Sequence, residues 1–257
     1  MNIMAVIPAR GGSKSIPKKS IVPLGGFPLI AFSIFAGKMS KHINRVLVST
    51  DSEEIASVSR EFGAETPFLR PSELAQDDSR DIGFFQHCIQ RLRETEGTLP
   101  DLFIHLRPTT PLRDPKIIDQ AIVEFLATPK ATSLRSAHPA SESPFKWFQK
   151  GEDGNFRAIR EGDSNDFLNA PRQMFPQAFI PDGYVDILRP SFLVENNLLY
   201  GPRMKAFVTP VTHEVDSPED LELLNFDLSR GEHPVFCMLQ KFQDTGEFPF
   251  LREGDKK

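Results

Sequence analysis

The stretch Arg10-Gly11-Gly12-Ser13-Lys14-Ser15-Ile16-Pro17-Lys18-Lys19 sets four cations within ten residues, around two adjacent glycines. Glycine admits backbone conformations in which successive N–H groups converge, and such a nest beside clustered cations suits an anion. A polyphosphate fits that chemistry. A solvated basic loop is the plain alternative, since short charge clusters commonly do no more than face water. The stretch matches neither GxxxxGK[ST] nor GxGxxG, so it is not one of the two familiar phosphate turns. A second group, His213-Glu214-Val215-Asp216, is acidic. On a strand, residues two apart share a side, so Glu214 and Asp216 could aim two carboxylates at one cation. Mg²⁺ takes few carboxylates together with phosphate oxygens and water. The alternatives are that Asp216 serves the cap of a helix beginning at Ser217 and that Glu214 is merely solvated. A third group, Arg107-Pro108-Thr109-Thr110-Pro111-Leu112-Arg113, carries two guanidiniums, each able to fork onto a carboxylate or phosphate. Lys146, Arg172 and Gln173 add polar reach from later in the chain, and each also reads as an ordinary surface residue.

These groups need elements to hold them. Ile3 to Ile7 is a continuous apolar run stopped by Pro8, which suits a strand covered on both faces. Leu29 to Met39 is apolar nearly all round and reads as a buried helix. Arg45 to Ser49 reads as a second strand, followed by a helix that Asp51 or Ser52 can cap and whose first turn carries Glu53 and Glu54. Leu102 to Leu106 is a third strand. Asp114-Pro115 then opens a helix with Ile118, Ala121, Ile122 and Phe125 at helical spacing. Thr132 to Ala137 is a fourth strand. Strands alternating with helices imply a mostly parallel sheet with helices on both faces, whose ligands bind outside the carboxyl ends of the strands. The first cation cluster, Ser49 to Asp51, and Arg107 to Arg113 all fall at such ends.

From about residue 141 to 178 short aromatic stretches alternate with Gly, Asp and Asn, suggesting an inserted hairpin. Gly183 to Leu188 and Ala206 to Val211 read as returning strands, and Ser217 starts a helix with Leu221, Leu224 and Leu228 on one side. The division this implies is one domain over 1–230, with the insertion inside it, and a loosely structured Phe-, Pro- and charge-rich extension over 231–257.

The 257 residues carry 35 acidic against 30 basic side chains, a formal charge of −5, with no basic stripe. Nucleic acid is therefore not the expected partner. No apolar run reaches the roughly 18–20 residues of a membrane helix, and no signal-peptide pattern opens the chain, so the expectation is a cytoplasmic protein away from membranes. Cys88 and Cys237 are too few and too far apart for a disulfide framework or a cysteine metal cluster, and Cys88, among Phe84, Phe85, Ile89 and Leu92, reads as core. HExxH and GxSxG are both absent. Phenylalanine is abundant, 22 against two Tyr and one Trp, for no reason the pattern reveals.

Taken together, the segments IPARGGSKSIPKKS at 7–20, VSTDSEEIA at 48–56, RPSELAQD at 70–77, LRPTTPLR at 106–113, PFKWF at 144–148, PRQMFP at 171–176, PDGYVDI at 181–187 and HEVDSPEDLE at 213–222 resemble the CMP-sialic acid synthetases, in that family's order. The resemblance implies a Rossmann-like α/β fold, a small dimerising insertion, and a Mg²⁺-dependent reaction of CTP with a free keto sugar acid to give CMP-sugar and pyrophosphate. By position it assigns Arg10, Gly12, Ser13, Lys14, Lys19 and Ser20 to the triphosphate loop, and Arg70, Ala75 and, loosely, Ser79 to the nucleotide. Arg107, Lys146, Arg172 and Gln173 fall to the sugar, in part across the interface of a homodimer, and Glu214 and Asp216 to the metal. Arg10, Lys19 and Asp216 are the expected catalytic set. The chain departs from the pattern at Arg107, where the family has Gln, at Glu214, where it has Asp, and at Asp182, where it has Asn. The identity of the sugar acid is open on these grounds. The nearest alternatives are an enzyme activating 3-deoxy-manno-octulosonate and, from another class, a nucleotide-binding protein of this fold without turnover.

Overall fold

The computed structural model describes residues 1–160 and 162–250. β1 (Ile3–Pro8) is apolar throughout because it lies inside a six-stranded sheet covered on both faces. Two short strands, β2 (Pro23–Leu24) and β3 (Phe27–Pro28), make a small ribbon after the cation-rich loop and lead into α1 (Leu29–Met39). β4 (Arg45–Ser49) follows, then α2 (Glu53–Glu61), whose Ile55 N–H donates to the capping Ser52 hydroxyl. α3 (Asp81–Glu96), β5 (Leu102–His105), α4 (Pro115–Leu126) and β6 (Ser133–Pro139) complete the first half. The inserted hairpin is β7 (Phe148–Lys150) with β8 (Phe156–Ala158). The chain returns through β9 (Phe179–Leu188), α5 (Pro190–Asn196), β10 (Met204–Val208), α6 (Pro218–Arg230) and α7 (Pro234–Thr245).

The strand order is β10-β6-β9-β5-β1-β4. Every neighbouring pair is parallel except those of β9, which runs antiparallel to both β5 and β6. That one reversal matters for the site. With Asp186 opposite His105, the earlier residues of β9, Asp182 and Gly183, lie beyond the carboxyl end of β5, beside the segment that carries Arg107. The period of two in β1 splits its side chains between two cores. Ile3, Ala5 and Ile7 pack with α1, α4, α6 and α7; Met4 and Val6 pack with Phe84, Phe85, Cys88 and Leu92 of α3 and Leu193 of α5.

Two expectations from the sequence need correction. Residues 231–250 are not a loose extension. Pro234 to Thr245 forms α7, which buries Val235 and Leu239 against the all-apolar α1. Phe236 stacks on Phe32 at 6.3 Å, and Phe242 and Phe250 meet Phe35 at 5.6 and 4.9 Å. Much of the phenylalanine excess is this seal, and α1 is apolar all round because the sheet and α7 cover opposite sides of it. Gly25, at φ 57°, fits the same seam: a Cβ there would stand 2.6 Å from the Phe236 ring. The remainder of the expected extension, 251–257, lies outside the described residues. The acidic group at 213–216 is also not on a strand; β10 stops at Val208, and the segment is held extended by single contacts such as Val215 N–H to the Thr109 carbonyl at 2.7 Å.

Candidate active site

The carboxyl ends of β1, β4 and β5 open into a cavity of about 650 Å³. Arg10, Ser13, Lys14, Lys19 and Ser20 line it from the loop after β1; Arg70, Ala75 and Ser79 from the segment after β4; Arg107 from beyond β5; and Asp216 from the approach to α6. Groups spread over two hundred residues of sequence thus share one space.

The loop is built differently from a glycine nest. Neither Gly11 nor Gly12 takes a left-handed conformation; Lys18 does, at φ 51°, and starts the 3-10 turn that carries Lys19 and Ser20. Gly12 does not line the cavity, and a Cβ there would meet open space. Lys18 turns away and pairs with Glu54 of α2 at 2.7 Å. The remaining cations, Arg10, Lys14 and Lys19, form the cradle. Lys19 is its most enclosed member, 14% exposed, and donates to the Val215 carbonyl at 2.9 Å and to Asp216 at 3.1 Å. Arg10 and Lys14 share one carboxylate, Asp77, at 2.9 and 2.5 Å. Lys14 above all holds the Asp77 carboxyl below its usual range. Sequence reasoning passed over Asp77; its only signal was an acidic residue in a segment already assigned to the nucleotide.

Glu214 and Asp216 separate. Asp216 is open to the cavity beside Lys19, whereas Glu214 is half-buried behind it and does not line the space. Burial, and then the nearby Asp216 charge, raise the Glu214 pKa. Gly183 makes room here. At φ 60°, a Cβ on it would stand 3.0 Å from Glu214 Oε1 and from Thr110 Oγ1 and 3.1 Å from the Arg107 stem, so three parts of the site converge on a position only glycine fits comfortably. Among the described residues no three His, Cys, Asp or Glu side chains converge as a metal cage. A pair of neighbouring carboxylates suits instead a hard cation that brings most of its oxygen shell with ligand and water.

The far wall is a paired network. Arg107 contacts Asp81 at 2.7 Å and Asp186 at 3.3 Å, and Tyr200 donates its hydroxyl to Asp186 at 2.7 Å. Burial works against the Arg107 charge, but Asp186 and Asp81 more than restore it. Arg107 is therefore not the free guanidinium that the sequence suggested. Arg113 is not a ligand group at all. It is fully buried and donates to the carbonyls of Tyr184, Gly183, Arg107 and Thr110 and to the Ser33 hydroxyl. Burial lowers its pKa to about 9, so it stays charged at neutral pH while tying β9 to the 107–113 turn. Asp182 is likewise structural, accepting from Ser136, Thr209 and the Tyr184 N–H. Arg70 is buried, with its guanidinium on the Ser49 carbonyl and 5.0 Å over the Phe84 ring, so it shapes this wall of the cavity more than it offers free donors. Cys88 is core, its thiol pushed up to about 12 by burial.

Lys146, Arg172 and Gln173 are not brought to this cavity. Lys146 donates to the Ala170 carbonyl at 3.0 Å and Arg172 to the Ala140 carbonyl at 2.7 Å, while Arg172 and Gln173 line a separate hollow of about 350 Å³.

With this geometry in view, comparison with known proteins is informative. A profile of the cytidylyltransferase family matches residues 4–146. The CMP-N,N'-diacetyllegionaminic acid synthase of Campylobacter jejuni is 30% identical over 229 residues, 88% of this chain and 95% of that protein. A protein of Campylobacter coli named post-translational flagellin modification protein B is 30% identical over 226 residues, 87% of this chain and 94% of that one. A solved CMP:2-keto-3-deoxy-manno-octonic acid synthetase, in complex with CTP, superposes with a TM-score of 0.65 at 17% identity, over 90% of this chain and 99% of that one, and so shares the fold. A cation-lined cavity at the carboxyl edge of a mostly parallel sheet, together with the profile and these full-length relatives, places the chain in the cytidylyltransferase family.

Proposed function

We propose that this chain transfers the cytidylyl group of CTP to a free sialic-acid-like nonulosonic acid, giving a CMP-sugar and pyrophosphate. The observation that carries this reading is a single cavity lined both by the three cations of the first loop and by the Arg107–Asp81 pair. The cations suit a triphosphate and the pair a polar sugar acid. The legionaminic acid relative supports the substrate class.

In this reading Arg10, Lys14 and Lys19 grip the triphosphate and align the α-phosphorus for attack by the sugar's anomeric hydroxyl, with pyrophosphate leaving on the opposite side. Phosphoryl chemistry of this kind needs positioning and charge stabilisation more than covalent help. Lys19 is pre-placed by Val215 and Asp216, so little reorganisation is needed when charge develops beside it. Glu214 and Asp216 are the residues that would hold Mg²⁺, which when bound supplies charge neutralisation at phosphate oxygens. Ala75, Ser79 and Ser20 line the same cavity and fall to the nucleotide in this reading. On the far wall a sugar carboxylate can take the place of Asp81 on Arg107, because Asp81 is 38% exposed whereas Asp186 is 1% exposed and held by Tyr200.

The inserted region supports a homodimer. It leaves Trp147, Phe148, Phe156, Ile159 and Met174 exposed, and a second copy covering them would carry Lys146, Arg172 and Gln173 toward the neighbouring sugar site. A cytoplasmic location fits CTP as co-substrate, and no helix among the described residues is long and apolar enough to cross a membrane.

The direct test is pyrophosphate release with CTP, Mg²⁺ and a panel of free keto sugar acids beside sugar 1-phosphates. Release with a nonulosonic acid such as N,N'-diacetyllegionaminic acid is the predicted result. Release with 3-deoxy-manno-octulosonate alone, or with none of the panel, contradicts it. Within that panel Arg107→Gln should raise KM for the preferred acid and alter the ranking; unchanged sugar kinetics would make Arg107 structural.

A further inference from the structure

The proposed phosphate cradle pairs with an anion of the chain's own. Asp77 comes from the segment over the nucleotide end of the cavity and gives one carboxylate oxygen to Arg10 at 2.9 Å and the other to Lys14 at 2.5 Å. These are two of the three cations that the cradle offers, and Asp77 itself lines the same cavity. The third, Lys19, is held separately by Val215 and Asp216. The Asp77 side chain is 44% exposed and Lys14 84% exposed, so the bridge opens to water at small cost.

We infer that Asp77 is an internal counter-ion of the cradle, a specificity-determining residue that any phosphate chain must displace from Arg10 and Lys14 in order to bind. The inference rests on the reading that this cradle holds the triphosphate. Two consequences follow from competition for the same two cations. Ligands that need the cradle bind more weakly than they would without Asp77, and all by a similar factor. A ligand that needs only the base and ribose surfaces is indifferent to it. The same competition lets Asp77 re-pair with Arg10 and Lys14 as pyrophosphate departs, which opposes rebinding of that product.

Calorimetric titration of the full chain with CTP, inorganic pyrophosphate and cytidine tests this, comparing wild type with Asp77→Asn and Lys19→Ala. Asp77→Asn keeps the shape and removes the charge. The expected result is that it binds CTP and pyrophosphate about five- to tenfold more tightly, the competing pair being exposed and modest in strength, with cytidine unchanged. With CTP held well below its KM, pyrophosphate should also inhibit turnover by the variant at a concentration lower by the same factor. If Lys19→Ala weakens CTP binding while Asp77→Asn leaves CTP and pyrophosphate unchanged or weaker, the counter-ion role is overturned and the cradle reading stands. If wild type binds CTP no better than cytidine and Lys19→Ala changes nothing, the cradle reading itself fails, and the role of Asp77 fails with it.

Discussion

The molecule holds its cations in two contrasting ways. Around the first loop Arg10, Lys14 and Lys19 meet carboxylates that are partly open to water and can exchange partners. Under the far wall Arg113 is fully enclosed, and all its acceptors but the Ser33 hydroxyl are backbone carbonyls that cannot leave. On the proposed reading, the difference separates binding machinery from scaffold. A cation whose counter-charge is exposed is available to a ligand, whereas one whose donors are spent on carbonyls fixes the backbone that shapes the site. Arg107 stands between the two, anchored by buried Asp186 and poised by exposed Asp81.

The contrast predicts opposite phenotypes. Arg113→Met strands several buried carbonyls and should lower stability by roughly 3–5 kcal/mol, the sum of a few unmet hydrogen bonds; denaturant unfolding that shows less than about 1 kcal/mol would move Arg113 out of the scaffold. Lys19→Ala should leave the unfolding midpoint close to wild type while kcat at saturating substrates falls by about 10²–10³, as for loss of one transition-state charge contact. A near-normal kcat would break the distinction from the other side. Asp216→Ala should act like Lys19→Ala, because the two are paired.

The remaining two predictions are smaller. Leu239→Ala in α7 should cost about 2–3 kcal/mol of stability with little effect on kcat, since it opens a cavity over α1 on the side away from the site. Glu214→Gln concerns pH. Burial and Asp216 raise the folded-state pKa of Glu214 above its ordinary value near 4.5. The folded state therefore binds the proton more tightly than the unfolded state does. That contribution is fully present below the unfolded pKa and is lost as pH rises through the raised folded value. Melting curves from pH 4 upward should show this loss in the wild type and not in Glu214→Gln, which should match or exceed wild type at neutral pH without ligand. A steeper loss in the variant would contradict the assignment.

The strands and α1 were legible because continuous apolar runs and turn residues are local signals: Ile3–Pro8 and Leu29–Met39 form where the pattern places them. The clustering of the cations at strand ends was legible for the same reason. What the sequence concealed was non-local. Arg113 in PLRDP looks like a surface residue until β9 arrives antiparallel and supplies its carbonyls. Arg107 looks free until Asp81 and Asp186, neither near it in sequence, close on it. Strand alternation misled at Glu214 and Asp216 because the segment is extended without being paired. The signal for α7 was present. Pro234 sits in the first turn, and Val235, Met238, Leu239 and Phe242 recur at helical spacing, but proline, phenylalanine and charge together read as loop.

The central claim is that the cradle of Arg10, Lys14 and Lys19 receives the phosphates of CTP while the sugar acid enters toward Arg107. A crystal structure with CTP and Mg²⁺ tests it most directly. The account predicts the triphosphate against those three cations, with Asp77 swung off Arg10 and Lys14. A nucleotide bound elsewhere, or a cradle still closed by Asp77 with CTP present, would contradict it.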